Sequence, residues 1–247
     1  MHEMILWQVG NSTVHGTTLV MTWITMAVII IIVLLGVRNL TSGKPGKMQN
    51  ILEWLVDFIR KLVAENMDYK KGAPLLSYLM TLIMFIFFSN MLGLIPNFVA
   101  PLFHNVEFAK LNEIFHGPVL MSPTADINTT MGLATLTIIL VVYLGIKHKG
   151  ASYFRHFIEP NALFLPIHIV DILSKPMTLA FRLFGNIYAG EVLIAVILML
   201  PGLYVFGGVI GPLPIWLGFS IFIGTIQSFV FTVLTIAYVA QAVAHDH

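Results

Sequence analysis

With 247 residues, 57% of them hydrophobic and only 10% charged, and a mean hydropathy of +0.88, this chain falls outside the range of soluble domains, where about 25% of residues are charged. A formal net charge of +1 provides no overall field for nucleic acid, and the lack of cysteine removes disulfides, zinc–thiolate sites and thiol catalysis. Between Glu191 and His245, 53 consecutive residues carry no Asp, Glu, Lys, Arg or His, and uncharged apolar runs of about 20 residues are the signature of membrane-spanning helices. The expectation is an all-α integral membrane protein, one membrane domain over 1–247.

In chain order, residues 1–16 hold no Lys or Arg and read as an outer N-terminal segment. The apolar run that follows, 17–37, is too long for the core of a signal peptide and reads as the first span. In 47–67, Met48, Ile51, Leu52, Leu55, Phe58, Ile59 and Leu62 recur at helical spacing, with Gln49, Glu53, Asp57, Arg60 and Lys61 on the other side. Asp57 and Lys61 form a favourable i,i+4 pair. Such a helix lies flat in the membrane interface or covers other parts of the protein. Spans at 75–96 and 127–146 and two long helices at 161–200 and 213–244 bring the expected membrane-embedded helices to five. The segment from Arg38 to Lys71 and the loop after 146 together hold ten Lys and Arg, against Lys110 alone on the opposite side. That bias puts the N-terminus outside and the C-terminus in the cytoplasm.

The chemistry concentrates in 161–200. Forty helical residues extend about 60 Å, roughly twice the hydrocarbon core. The helix is therefore expected to tilt or kink, with Pro176 the candidate kink. At 100° per residue His168, Asp171, Lys175, Arg182 and Asn186 fall within an arc of roughly 60°, while Glu191 lies about 180° from Arg182. A polar line with a fixed cation on one face, and a lone carboxyl on the other, suits two separate polar routes.

Arginine at mid-span costs about 2.5–3.5 kcal/mol on insertion scales. It stays protonated, so it cannot relay protons, but it repels cations and favours the ionised form of a nearby carboxyl. Arg182 therefore suits a gate, the alternative being a structural ion pair with Asp171 or Glu191. Glu191, Asp171 and His168 are able to exchange protons or to serve as satisfied core polar groups, and Lys175 is placed to snorkel toward the interface. In the last helix Ser220, Gly224 and Gln227 share a face, suited to close helix packing, with Gln227 in reach of the preceding helix. No phosphate-binding loop, dinucleotide fingerprint or metal-ligand spacing is present, and neither a cofactor nor a covalent reaction is expected of this chain.

Lys175–Glu191 reads KPMTLAFRLFGNIYAGE, and RLFGNIYAGE resembles the signature of the F-type ATP synthase a subunit. PTADINTT at Pro123–Thr130, MQNILEWLVDFIR at Met48–Arg60 and GTIQSFVFTVLTIAY at Gly224–Tyr238 extend the resemblance, in the family's order, over most of the chain beyond about residue 17. The short N-terminus, without a transit peptide, looks like that of a bacterial member, in the plasma membrane.

The resemblance implies one N-terminal span, an interfacial helix, a helical hairpin and two long tilted helices against a rotating c-ring. Peripheral-stalk b subunits and the lipid bilayer are the other implied partners. It implies two offset half-channels carrying protons or Na+. Arg182 matches the arginine that faces the ring and keeps them separate. Asn186, Glu191 and Gln227 match positions of the outer half-channel or its rotor interface. Asp171 and His168 match the inner one, and Asp126 and Asn128 fall near the outer route. Some members place a histidine where this chain has Ser220, so a His–Glu outer relay is absent here. The implied role couples ion flow to ATP synthesis or hydrolysis by the whole complex, with no enzyme activity of the chain alone. The rival reading is a secondary transporter with a midplane anion site around Arg182, and a structural scaffold is a third.

Overall fold

The computed structural model describes residues 6–9, 12–41, 43–99, 122–150, 153, 165–199 and 212–244. Two short strands, β1 (Leu6–Val9) and β2 (Ser12–His15), pair antiparallel, with Val9 opposite Ser12. Helices α1 (Gly16–Val37), α2 (Lys47–Asn66), α3 (Tyr69–Gly72), α4 (Leu76–Val99), α5 (Ile127–Lys149), α6 (Leu165–Met199) and α7 (Pro212–Val243) follow. Short 3-10 turns at Ala73–Leu75 and Pro123–Ala125 precede α4 and α5. The architecture is that of an all-α membrane protein to which the sequence reading had added no hairpin. Pro101, Lys110, Pro118, residues 161–164 and the C-terminal 245–247 lie outside the described residues.

Among the described residues, four segments are long and apolar enough to cross a membrane: Gly16–Val37, Tyr69–Leu94, Ile127–Lys149 and Pro214–Val243. The fifth expected helix, α6, carries the charges. Its 35 residues run on through Pro176 and extend about 52 Å, against a hydrocarbon core of about 30 Å.

Polar side chains inside these helices are satisfied locally. Thr22, Thr25, Thr137, Thr232 and Thr235 each donate to the carbonyl four residues earlier, at 2.7–2.9 Å. That removes an unpaired hydroxyl from an apolar medium, where it would be costly.

The chain divides into two compact units. The first comprises Met1–Ile31, Met84–Asp126 and Leu183–Gln227. Here Ile194 of α6 and Leu217 of α7 are buried together, with Leu94 and Trp216 packed on them. The second comprises Ile32–Ile83, Ile127–Arg182 and Ser228–His247. α5 contributes Ala134, Thr137, Ile138, Val141 and Leu144, and α7 contributes Phe231, Thr235, Ile236 and Val239, each set buried at helical spacing. Tyr78 and Thr137 bridge α4 and α5 through their hydroxyls at 2.8 Å. Lys71 donates to the carbonyl of Val243 at 3.2 Å.

α2 is amphipathic as expected, but its inward line differs in detail. Ile59 and Val63 are buried, whereas Met48, Ile51 and Trp54 are exposed. Gln49, assigned by spacing to the polar side, is buried: it accepts from Thr41 N–H and donates to the Thr41 carbonyl and Glu53, closing the turn before α2. Asp57 contacts Arg60 at 3.8 Å, three residues on, instead of Lys61. Both partners are more than half exposed, so the pair adds little.

Gly36 sets how closely α2 approaches the end of α1, because a side chain there would run into Leu52. Gly36→Val is expected to cost about 1–3 kcal/mol by overpacking. It should lower the temperature at which the chain dissociates from its purified complex, and Leu52→Ala in the same chain should restore part of the loss. An unchanged dissociation temperature would show that this approach does not matter.

Candidate functional site

The first unit contains a cavity of about 620 Å³, lined by Asn90 and Leu94 of α4, Asn186 and Glu191 of α6, Trp216 and Ser220 of α7, and apolar neighbours. α6 and α7 meet at Gly190. Trp216 Nε1 donates to the Gly190 carbonyl at 3.2 Å, and a Cβ on Gly190 would stand 3.8 Å from Ser220 Oγ. Ser220 Oγ is itself buried without a hydrogen-bond partner. Glu191 Oε1 accepts the backbone N–H of Ser122 at 3.3 Å. The carboxyl is thus anchored by the residue before the Pro123–Ala125 turn while it lines an open cavity.

The sequence had pointed to Asp126 and Asn128 in this neighbourhood. Neither lines the cavity. Asp126 instead accepts from Thr18 Oγ1 at 3.1 Å and lies 3.4 Å from His15 Nδ1, tying the start of α5 to the hairpin and α1. Asn128 is exposed on α5. The residue that reaches Glu191 is Ser122, just before that motif. Gln227 is buried, as its face predicts, but it makes no hydrogen bond among the described residues, so the expected link to the preceding helix is not formed.

In the second unit a smaller cavity of about 340 Å³ is lined by Lys149, Tyr153, His168, Asp171, Lys175, Tyr238 and Gln241, with apolar residues between them. Lys175 Nζ is 2.7 Å from Asp171 Oδ2 and 5.5 Å from the centre of the Tyr238 ring. The lysine, expected to snorkel, is instead held by a carboxylate one turn away and by an aromatic face. The i,i+4 spacing was the signal for that pair.

Arg182 lines neither cavity. It is exposed and has no hydrogen bond or ion pair among the described residues. The structural alternative, a pair with Asp171 or Glu191, is not formed: Asp171 holds Lys175, and Glu191 holds the Ser122 amide. Val170, Met177, Phe181, Tyr188 and Val192 are exposed along the same helix. Along α6 the order is therefore polar cavity residues His168, Asp171 and Lys175, then Arg182, then Asn186 and Glu191 of the other cavity.

Asn90, Ser122 and Thr124 were missed, because an uncharged side chain carries no signal until the fold brings it to the site. Among the described residues no three His, Asp or Glu side chains gather as metal ligands.

The family model described as "ATP synthase A chain" matches residues 19–240. ATP synthase subunit a of Desulforamulus reducens is 41% identical over 97% of this chain and 84% of its own length. The protein of the same name from Lysinibacillus sphaericus is 39% identical over 100% and 99%. That of Bacillus subtilis is 37% identical over 95% of each chain. The chain belongs to the ATP synthase A chain family.

Proposed function

We propose that this protein carries protons, or Na+, between the two sides of the bacterial plasma membrane and the carboxylates of a rotating c-ring. It would do so as a stator subunit of an ATP synthase whose ATP chemistry resides in other subunits. Ions reach the ring from outside through the Glu191 cavity, ride it for almost a full turn, and leave past His168 and Asp171. Ser220 lines the outer route in place of a histidine, and Gln227 packs beside it.

The observation that carries this reading is Arg182: an exposed guanidinium without a partner among the described residues, in sequence between the residues of two cavities along one helix, one polar and one largely apolar around Glu191. An unpaired cation in the membrane calls for an anion. A ring carboxylate arriving from another chain supplies one, and Arg182 favours its ionised form, releasing the bound ion. The same positive charge opposes direct passage of cations from one cavity to the other. The apolar residues exposed along α6 suit a sliding contact with the ring. An anion transporter centred on Arg182 would need an enclosing pocket, and neither cavity includes that residue. The driving force is about 2.3 kcal/mol per charge per 100 mV.

In inverted vesicles carrying the complete complex, Arg182→Ala is expected to abolish ATP-driven ion pumping and to open a passive leak through the membrane sector, with assembly intact. Undiminished coupled pumping would remove Arg182 from the mechanism. Asp171→Asn should slow pumping without any leak, since Arg182 still separates the routes. Lys175→Ala should assemble normally, because its ion-pair partner Asp171 is more than half exposed and helical i,i+4 pairs contribute only about 0.3–0.5 kcal/mol. A leak in Asp171→Asn vesicles would contradict the assignment of the inner route.

A further inference from the structure

Beside Glu191 lies a hydrogen-bond network that meets the cavity only at Asn90. Asn90 of α4 is 1% exposed and joins three segments. Its Nδ2 donates to the carbonyl of Gly224 on α7 at 3.0 Å, and its Oδ1 accepts from Thr124 Oγ1 at 2.6 Å. Thr124 Oγ1 in turn lies 2.6 Å from Ser122 Oγ, which also donates to the carbonyl of Ser89 at 2.9 Å. Two hydroxyl protons serve these three contacts, so one of the two hydroxyls shares its proton. The backbone N–H of Ser122 points to Glu191.

Glycine makes the approach possible on both sides. A Cβ on Gly93 would come within 2.5 Å of Ser122 Cβ and 2.9 Å of its backbone nitrogen. A Cβ on Gly224 would come within 3.2 Å of Asn90 Cβ. The turn that presents the Ser122 amide therefore has little room to shift against α4, and its hydroxyls are fastened to two helices.

We propose that Asn90, Thr124 and Gly93 are positioning residues that hold the Ser122 amide on the Glu191 carboxyl and so fix that carboxyl in its cavity. None of them exchanges a proton with the translocated ion. The inference rests on the reading of Glu191 as an ion-handling group, but concerns a different set of residues.

The test uses the intact complex in inverted vesicles. Glu191→Gln first identifies the carboxyl infrared band that disappears on substitution. Thr124→Val, which keeps the shape and removes both hydroxyl contacts, is expected to shift that band. It should also slow pumping roughly two- to ten-fold, the range one hydrogen bond spans. Thr124→Ser should restore both. Gly93→Ala should reproduce the band shift from the other side of the turn. A band that stays in place while pumping falls would overturn the proposal, as would pumping and band both unchanged. If Thr124→Val does not assemble, Gly93→Ala decides by the same criteria, and failure of both to assemble overturns it as well. Undiminished pumping by Glu191→Gln would sink the ion-handling role of Glu191, while the band shift would still report the positioning.

Discussion

A guanidinium in a membrane stays charged, and Arg182 has no anion beside it among the described residues. Under the proposed function a carboxylate from another chain supplies one. The two carboxyls that share its helix are occupied elsewhere, one by Lys175 and the other by a backbone amide. Neither stands three or four residues from Arg182, the spacing at which a helix pairs its own charges. Under the proposed function, that spacing leaves one interaction of Arg182 open for the ring carboxylate.

The rest of the fold supports that arrangement by keeping other polar groups satisfied. Helical threonines bond back to their own carbonyls, and Tyr78 finds Thr137. The polar groups that escape this rule are informative. Ser220 Oγ is buried without a partner beside the Glu191 cavity, where ordered water would meet it.

Much of this was legible in the sequence. Apolar runs announced the helices, because long uncharged segments leave the chain little choice. Arg182 and Glu191 stood out because ionisable groups are rare in such segments. The N-terminal hairpin was not anticipated, although Gly10-Asn11 between two short β-prone stretches is a turn signal; the eye was on charge and hydropathy. Gln49 went to the wrong side of α2 because helical spacing does not foresee a side chain turning back to close Thr41. The frame around Glu191 was invisible for a different reason. Asn90, Gly93 and Thr124 are ordinary residues whose importance arises only when three distant segments meet.

Asn90 ends up with both halves of its amide engaged by different segments, one by a helix and one by a turn. In mechanical language it is a rivet. A stator must not yield when its rotor is dragged past by an electric field, since compliance in the stationary part is work not delivered to the shaft. Helices that slide on greasy side chains are soft in shear, whereas a buried amide with two directional bonds is stiff in every direction at once. Under the proposed function, one such fastening next to the cavity, with glycines where a methyl group would wedge the parts open, would localise rigidity where the load arrives. The apolar residues exposed on α6 would be left to slide.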